Sequence, residues 1–290
     1  MTPVLGDGEA ATPLTLMAVH AHPDDEASTT GGVLAKYSGE GIRTVLVTCT
    51  NGECGDGPNG AKPGEPGHDE AALVKLRRAE LEESCRILGV TDLELLGFRD
   101  SGMEGWSANQ AAGAFSTLPV ETAATPLARL LDRYRPQVVI TYDEYGFYGH
   151  PDHIQAHRIT LAALDRIGLP TRLYCPTVRR SRLGQFTGRM EQAGVEVPDV
   201  DASRFGSPDE DIAATIDCRE QAAAKFSALG AHASQGENIF FLRLGLPDFT
   251  EMFGTEEFIR LRGQQPGLAP ATDLFVGLRD ARVTERAPAP

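Results

Sequence analysis

Two short stretches carry most of the side chains that could do chemistry in this chain of 290 residues. One is His22-Pro23-Asp24-Asp25-Glu26. The other is His150-Pro151-Asp152-His153, with His157 four positions further on. Three carboxylates beside an imidazole are costly to hold together unless a cation compensates them. A divalent metal does so, and a mixed imidazole and carboxylate set suits zinc or ferrous iron. The plainer reading of the first stretch is an acidic capping turn ahead of a helix, because aspartate caps well and acids favour helix N-termini. In the second stretch, Pro151 fits the first turn of a helix. His153 then lies in that turn, where the helix dipole disfavours an imidazolium and keeps the ring neutral for ligation. His153 and His157 form an i,i+4 pair on one helical face, and His150 sits at the helix mouth. Spacing alone does not choose among the three.

Taken together, the two stretches favour a three-ligand catalytic metal with an open position over a closed structural site. A catalytic metal lowers the pKa of a coordinated water to about 7, and a spare carboxylate can take a proton during attack on a carbonyl. The chain has neither a GxSxG serine elbow nor a GxGxxG turn after its first apolar run.

Such residues need elements to hold them. The apolar run 14–21 predicts a buried strand ending at His22. Residues 30–40 have helical spacing (Val33, Leu34, Tyr37), and the β-branched run 43–49 predicts a parallel strand buried on both faces. These three form a βαβ unit with a right-handed crossover. The glycine- and proline-rich stretch 51–67 predicts a long loop. A helix is predicted over 73–88, a short strand over 93–97, the end of a helix at 127–134, and a strand over 137–142. The loop 143–150 follows at that strand's carboxyl end, then a helix over 154–167. Beyond 171 the clearest feature is an alanine-rich helix over 212–229; 266–271 reads as a linker and 287–290 as a loose tail. Alternating strands and helices predict an α/β fold with a mostly parallel sheet, whose ligands sit outside the carboxyl ends of the strands.

Composition excludes some roles. The net charge of −14 disfavours nucleic acid, whose binding rests on neutralising phosphates with Lys and Arg. Five scattered cysteines with no CxxC pair suggest neither a zinc ribbon nor a disulfide framework, so buried reduced thiols are expected. No apolar run approaches the roughly 20 residues of a membrane span. The first thirteen residues lack the basic and apolar regions of a secretion signal, so the expected location is cytoplasmic.

Ala21-His22-Pro23-Asp24-Asp25-Glu26 together with Tyr148-Gly149-His150-Pro151-Asp152-His153 resembles the LmbE-like (PIG-L) zinc-dependent N-deacetylase family. Thr48-Cys49-Thr50-Asn51-Gly52-Glu53 resembles its second strand and loop, Arg77-Arg78-Ala79-Glu80-Leu81 its R-x-x-E-L helix, and Arg99-Asp100-Ser101-Gly102-Met103 its D-S-G turn. The likeness is good over 14–168 and fades beyond, and it is greatest to the mycothiol-pathway branch, the deacetylase and the S-conjugate amidase. It implies a Rossmann-like metal-binding core over 14–168. A smaller C-terminal part, 169–280, would complete the fold as a substrate lid, and 281–290 would be a loose tail. It implies one zinc per chain on His22, Asp25 and His153, which leaves His157 out, with ferrous iron as the other candidate metal. Asp24 would be the general base, and His150, oriented by Asp152, would stabilise the oxyanion or assist proton transfer. Tyr148 would approach the same oxygen, and Arg78 and Asp100 would hold substrate hydroxyls. Glu26 and His20 would be supporting residues.

The implied reaction is hydrolysis of an acetamide or related amide on an amino sugar or its conjugate. The alternatives are a mycothiol S-conjugate amidase or, more remotely, an inactive metal-binding scaffold. A metallophosphoesterase would need more bridging carboxylates. The expected partner is a small amino-sugar molecule, with no nucleic acid and no membrane, and a homo-oligomer is compatible with the sequence. One departure bears on substrate. Tyr145 and Phe147 stand where the family loop usually has Asn and Gly, and two aromatics there either reshape the pocket or pack outward.

Overall fold

The run ahead of His22 is strand β1 (Thr15–His20), buried at every residue. Its side chains alternate between two apolar clusters: Leu16 and Ala18 join one, Met17 and Val19 the other. A strand covered on both faces must read as continuously apolar, and this one does. The structure is a computed structural model and describes residues 13–57, 60–192, 194, 205–235, 240–264, 267 and 270–279.

After β1 come α1 (Asp25–Thr29), α2 (Gly31–Gly39), β2 (Arg43–Thr50), α3 (Glu70–Leu88) and β3 (Asp92–Phe98). Next are α4 (Val120–Tyr134), β4 (Val138–Ile140), the single turn α5 (Gly146–Gly149), α6 (Pro151–Ile167), β5 (Arg172–Thr177) and α7 (Arg180–Gln192). The last described elements are β6 (Ala214–Asp217), α8 (Ala222–Ala231), α9 (Gly245–Phe253) and β7 (Thr255–Arg262). They form a seven-stranded sheet in the order β3-β2-β1-β4-β5-β7-β6. The first five are parallel, and β7 runs antiparallel to both β5 and β6. The α/β, mostly parallel reading therefore holds.

Strand order reverses at β1, which pairs with β2 on one side (Leu16 opposite Thr44) and β4 on the other (Leu16 opposite Val138). Connections leave β1 and β4 in opposite directions and open a crevice at their carboxyl ends, where such folds bind ligands. Helices α4 and α6 cover one face through Leu127, Leu131, Ile159 and Ala163. The other face is covered by α2, α3 and α8 through Tyr37, Leu81, Leu88 and Leu229, with Phe275 from the C-terminal segment.

The amino end of α2 is capped from far along the chain. The Glu256 carboxylate of β7 accepts from the Gly32 and Val33 amides at 2.7 and 2.9 Å and pairs with buried Lys225 of α8 at 2.7 Å.

Two readings change. The single helix expected over 212–229 is a strand followed by a helix, because Thr215 and Ile216 pair with Glu257 and Glu256 of β7. The alanines pointed to helix, but tertiary pairing of the β-branched pair prevailed. The linker expected over 266–271 ends in a bridge of Ala271 to β6, and Leu274 and Phe275 beyond it lie in the core. The loose tail lies outside the described residues. All five cysteines are free and buried. No helix among the described residues is long and apolar enough to cross a membrane.

Candidate metal centre

The loop after β1 carries His22 and Asp24 and leads into α1 at Asp25; the loop after β4 carries His150 and leads into α6 with His153. The Asp25 carboxylate lies between the two. Its Oδ2 accepts from the His22 amide at 2.8 Å and the buried Tyr142 hydroxyl at 2.7 Å. Its Oδ1 is 3.4 Å from His153 Nε2, and Oδ2 is 3.3 Å from His22 Nδ1.

Hydrogen bonding fixes which ring nitrogens carry protons. His153 Nδ1 faces the Gly146 carbonyl at 3.1 Å. A carbonyl only accepts, so Nδ1 holds the proton and the neutral ring leaves Nε2 a bare lone pair. That nitrogen is buried and has no hydrogen-bond partner. His22 Nε2 donates to Asp152 Oδ2 at 3.3 Å and its Nδ1 faces Asp25 Oδ2 at 3.3 Å, so the neutral ring that metal binding requires would present Nδ1 to the ion. The bare His153 nitrogen facing a carboxylate repels it unless a cation lies between. The two separations, 3.3 and 3.4 Å, run to the two different oxygens of Asp25, so its carboxylate spans both imidazoles. The residues fit a divalent metal.

Charge argues the same way. Burial disfavours a charged His22, but Asp100, Asp152 and Asp25 outweigh it and hold its pKa well above the usual imidazole value. Asp25 is buried too, yet His153 and His22 hold its pKa well below the carboxylate range. The pocket demands positive charge.

A third imidazole joins the cluster, since ring nitrogens of His22, His150 and His153 gather within 4.8 Å of one another. His150 is the N-cap of α6, and its Nδ1 accepts from the Asp152 amide at 3.1 Å. Burial first, then His22 and His153, pushes its pKa well below the usual value. The neutral ring therefore carries its proton on Nε2. It is the Asp152 backbone that orients His150. The Asp152 carboxylate instead accepts from the Ser101 amide at 2.8 Å and from His22, with Oδ1 left unpartnered. Asp100, 3.6 Å from His22 Nε2, accepts from the Gly102 and Cys54 amides. The half-exposed Tyr148 ring lies 5.0 Å from that of His153.

Asp24 has φ 129° and ψ −26°, which an L-residue rarely adopts. Its Oδ2 accepts from Arg77 Nη2 at 2.8 Å. Burial pushes its pKa up to about 6, against the pull of Arg77 and with help from Asp25. Arg77 is 3% exposed and also donates to the Gly52 and Pro23 carbonyls. Arg78, the arginine expected at substrate, lies on the outer face of α3. Its side chain is 63% exposed and pairs with Glu82 at 2.9 Å. The register shows why: Leu73, Arg77, Leu81 and Leu88 share the buried face of α3, and position 78 is turned away. That signal was available in the sequence. Tyr142 and His232 were missed as well, and neither belongs to a motif.

His157, buried on α6, donates from Nδ1 to the Tyr142 carbonyl at 2.8 Å. His20, bonded to Thr30 at 2.8 Å, is pushed down to about 4 by burial. The Phe147 ring packs against the α4–α6 cluster and meets Phe205 at 5.1 Å.

The family model for GlcNAc-PI de-N-acetylases (PIG-L) matches residues 17–164. The chain belongs to this family. It is 42% identical to the 1D-myo-inositol 2-acetamido-2-deoxy-alpha-D-glucopyranoside deacetylase of Acidothermus cellulolyticus, over 91% of this chain and 95% of that protein. To the Salinispora arenicola protein of the same name it is 39% identical, over 93% and 94%. The N,N'-diacetylchitobiose deacetylase of Pyrococcus horikoshii shares the fold, with a TM-score of 0.56 at 22% identity over 90% of this chain and 88% of that one. This PIG-L chain is thus an N-deacetylase of an amino-sugar conjugate, an amidohydrolase.

Proposed function

We propose that the chain hydrolyses the acetamide of 1D-myo-inositol 2-acetamido-2-deoxy-α-D-glucopyranoside, using one zinc held by His22, Asp25 and His153. The observation that carries the metal assignment is the bare, buried Nε2 of His153 facing Asp25. The substrate rests on identity near 40% across nearly the whole length of two deacetylases named for it. Asp25 is favoured over His150 as third ligand because its oxygens face ring nitrogens of both His22 and His153 and it brings negative charge. When bound, the ion supplies Lewis acidity to the attacking water and the amide carbonyl.

The remaining steps fall to the chain. Asp24, with its pKa near 6, is available as a base at neutral pH. It takes a proton from water as the water oxygen bonds to the acetyl carbon. As the carbon–nitrogen bond breaks, that proton passes to the leaving nitrogen, giving the amine and acetic acid, whose remaining proton goes to the amine or to solvent to leave acetate. His150, with Nδ1 committed to the α6 amino end, donates from Nε2 to the oxygen where negative charge develops. Tyr148 offers its hydroxyl to the same oxygen. Asp152, accepting from Nε2, orients the His22 ring. Asp100 keeps acceptor capacity for a sugar hydroxyl. Arg77 sets Asp24, a role closed to Arg78.

An amine-release assay on zinc-loaded protein tests the reading, with the inositol conjugate, N-acetylglucosamine and a thiol S-conjugate amide as substrates. The inositol conjugate should give the highest kcat/KM. Faster turnover of the S-conjugate would transfer the chain to the amidase reading.

A further inference from the structure

The unusual backbone of Asp24 needs something to hold it, because such conformations persist only where the surroundings over-determine them. Its carbonyl accepts from the Ala27 and Ser28 amides, as the opening turn of α1 requires. Its own amide donates at 3.0 Å to Oε2 of Glu26, two residues ahead. Glu26 is fully buried, and a buried carboxylate must itself be paired. The donors to its Oε1 are the Ser84 hydroxyl of α3 at 2.5 Å and His232 Nε2 at 2.7 Å. His232 is also fully buried and immediately follows α8, far outside the stretches that resemble the family's motifs.

The turn bearing His232 is tied down on two sides. The Ser234 amide and hydroxyl donate to the Glu80 carboxylate at 2.7 and 2.6 Å. Gln235 makes a reciprocal pair with the Asp56 backbone: its Oε1 accepts from the amide at 3.1 Å and its Nε2 donates to the carbonyl at 2.9 Å. Glu80 lies one helical turn from Arg77, which holds the Asp24 carboxylate. One turn from the C-terminal part therefore supports the backbone clamp on Asp24 through His232 and is tied to α3, the helix that carries Arg77.

We propose that His232 is a positioning residue for the deacetylation, acting through Glu26 to hold the Asp24 backbone in the conformation that aims its carboxylate. The inference rests on Asp24 being the base. The chain from His232 to Glu26 to the Asp24 amide reaches no bare nitrogen of the metal cluster, so its loss should disturb the base and spare the metal. Displacing a reacting group by about 1 Å costs on the order of 10²-fold in rate.

The test uses the full zinc-loaded chain and the inositol conjugate, with His232→Ala, His232→Gln, Ser84→Ala, Asp24→Asn and the double variant Asp24→Asn/His232→Ala. His232→Ala should lower kcat on the order of 10²-fold, with KM within about twofold and zinc content unchanged. His232→Gln, which keeps a donor, should recover part of that loss. Ser84→Ala removes the other donor to Glu26 Oε1 with little loss of volume and should give a smaller loss, again in kcat alone. In the Asp24→Asn background His232→Ala should cost nothing more, because both act through one group. A loss that adds to that of Asp24→Asn, a rise in KM at constant kcat, or loss of zinc would overturn the proposal. An active Asp24→Asn protein would instead overturn the base assignment itself, so the two failures are distinguishable. Should His232→Ala not fold, His232→Gln and Ser84→Ala carry the same comparison.

Discussion

Asp24 and Asp25 are neighbours in sequence with opposite electrostatic fates. Burial acts on both, but it carries the Asp24 carboxyl up to about 6, whereas His153 and His22 drive Asp25 well below the ordinary carboxylate range. One is poised to exchange a proton and the other to stay ionised.

Their asparagine variants should therefore fail differently. Asp24→Asn should keep its zinc and lose turnover by roughly 10²–10⁴-fold, the usual contribution of a general base. Asp25→Asn should lose zinc affinity and regain part of its activity in excess zinc. The base must be deprotonated to act, so wild-type kcat/KM should fall as pH drops through about 6, and this limb should vanish in Asp24→Asn. Metal analysis and pH profiles decide the matter. Loss of zinc from Asp24→Asn with retention by Asp25→Asn would exchange the two roles.

The paired arginines of α3 make a second contrast. Arg77→Ala strips the guanidinium from Asp24 and from two carbonyls, and a fall of about 10²-fold in kcat/KM is expected from the misplaced base. Arg77 pulls the Asp24 pKa down, so the remaining activity should show its acid limb at higher pH. Arg78→Ala should be indistinguishable from wild type. A raised KM in Arg78→Ala beside a normal Arg77→Ala would restore Arg78 to the substrate.

His153→Ala should release the metal and abolish activity, and His157→Ala should retain the metal. His157 is buried on the Tyr142 carbonyl, so its removal should cost about 1–3 kcal/mol of stability. Elemental analysis with thermal denaturation separates the two effects, and about one equivalent of zinc per chain is expected in wild type. Loss of metal from His157→Ala would show that the wrong histidine has been assigned.

Phe147 has φ 67° and ψ −53°, a region that favours glycine. Phe147→Ala and Phe147→Gly both remove the ring that meets Phe205, but only glycine relieves the backbone. The glycine variant should be the more stable of the two by about 1 kcal/mol, despite glycine's greater entropy in the unfolded chain. Chemical denaturation measures the difference, and an alanine variant as stable as the glycine one would mean that the conformation carries no strain.

What could be read in advance followed burial and periodicity. The continuous apolar runs of β1 and β2 announced a parallel sheet, and the clusters at their carboxyl ends announced the site. Arg77 was legible in principle, since its spacing from Leu73 and Leu81 fixes its face. His232 was not, because a lone histidine after an alanine-rich helix carries no local signal. Its meaning comes from a partner more than 200 positions earlier. Strand β6 was hidden for a similar reason: its four residues are a strand only because β7 lies beside them.

The pairing of β1 with β4 has a consequence for how the protein comes into being. His22 and Asp152 are 130 positions apart, so the cluster cannot form until a loop of that length has closed, and contacts of such long range form slowly. During synthesis the amino-terminal stretch offers only His22 and Asp25 until α6 has emerged. Apolar burial on both faces of β1 is sufficient reason for the sheet to close before any ion is held. The proposed metal would therefore be captured late, by a scaffold already in place, and the expected outcome is that it exchanges without unfolding of the chain.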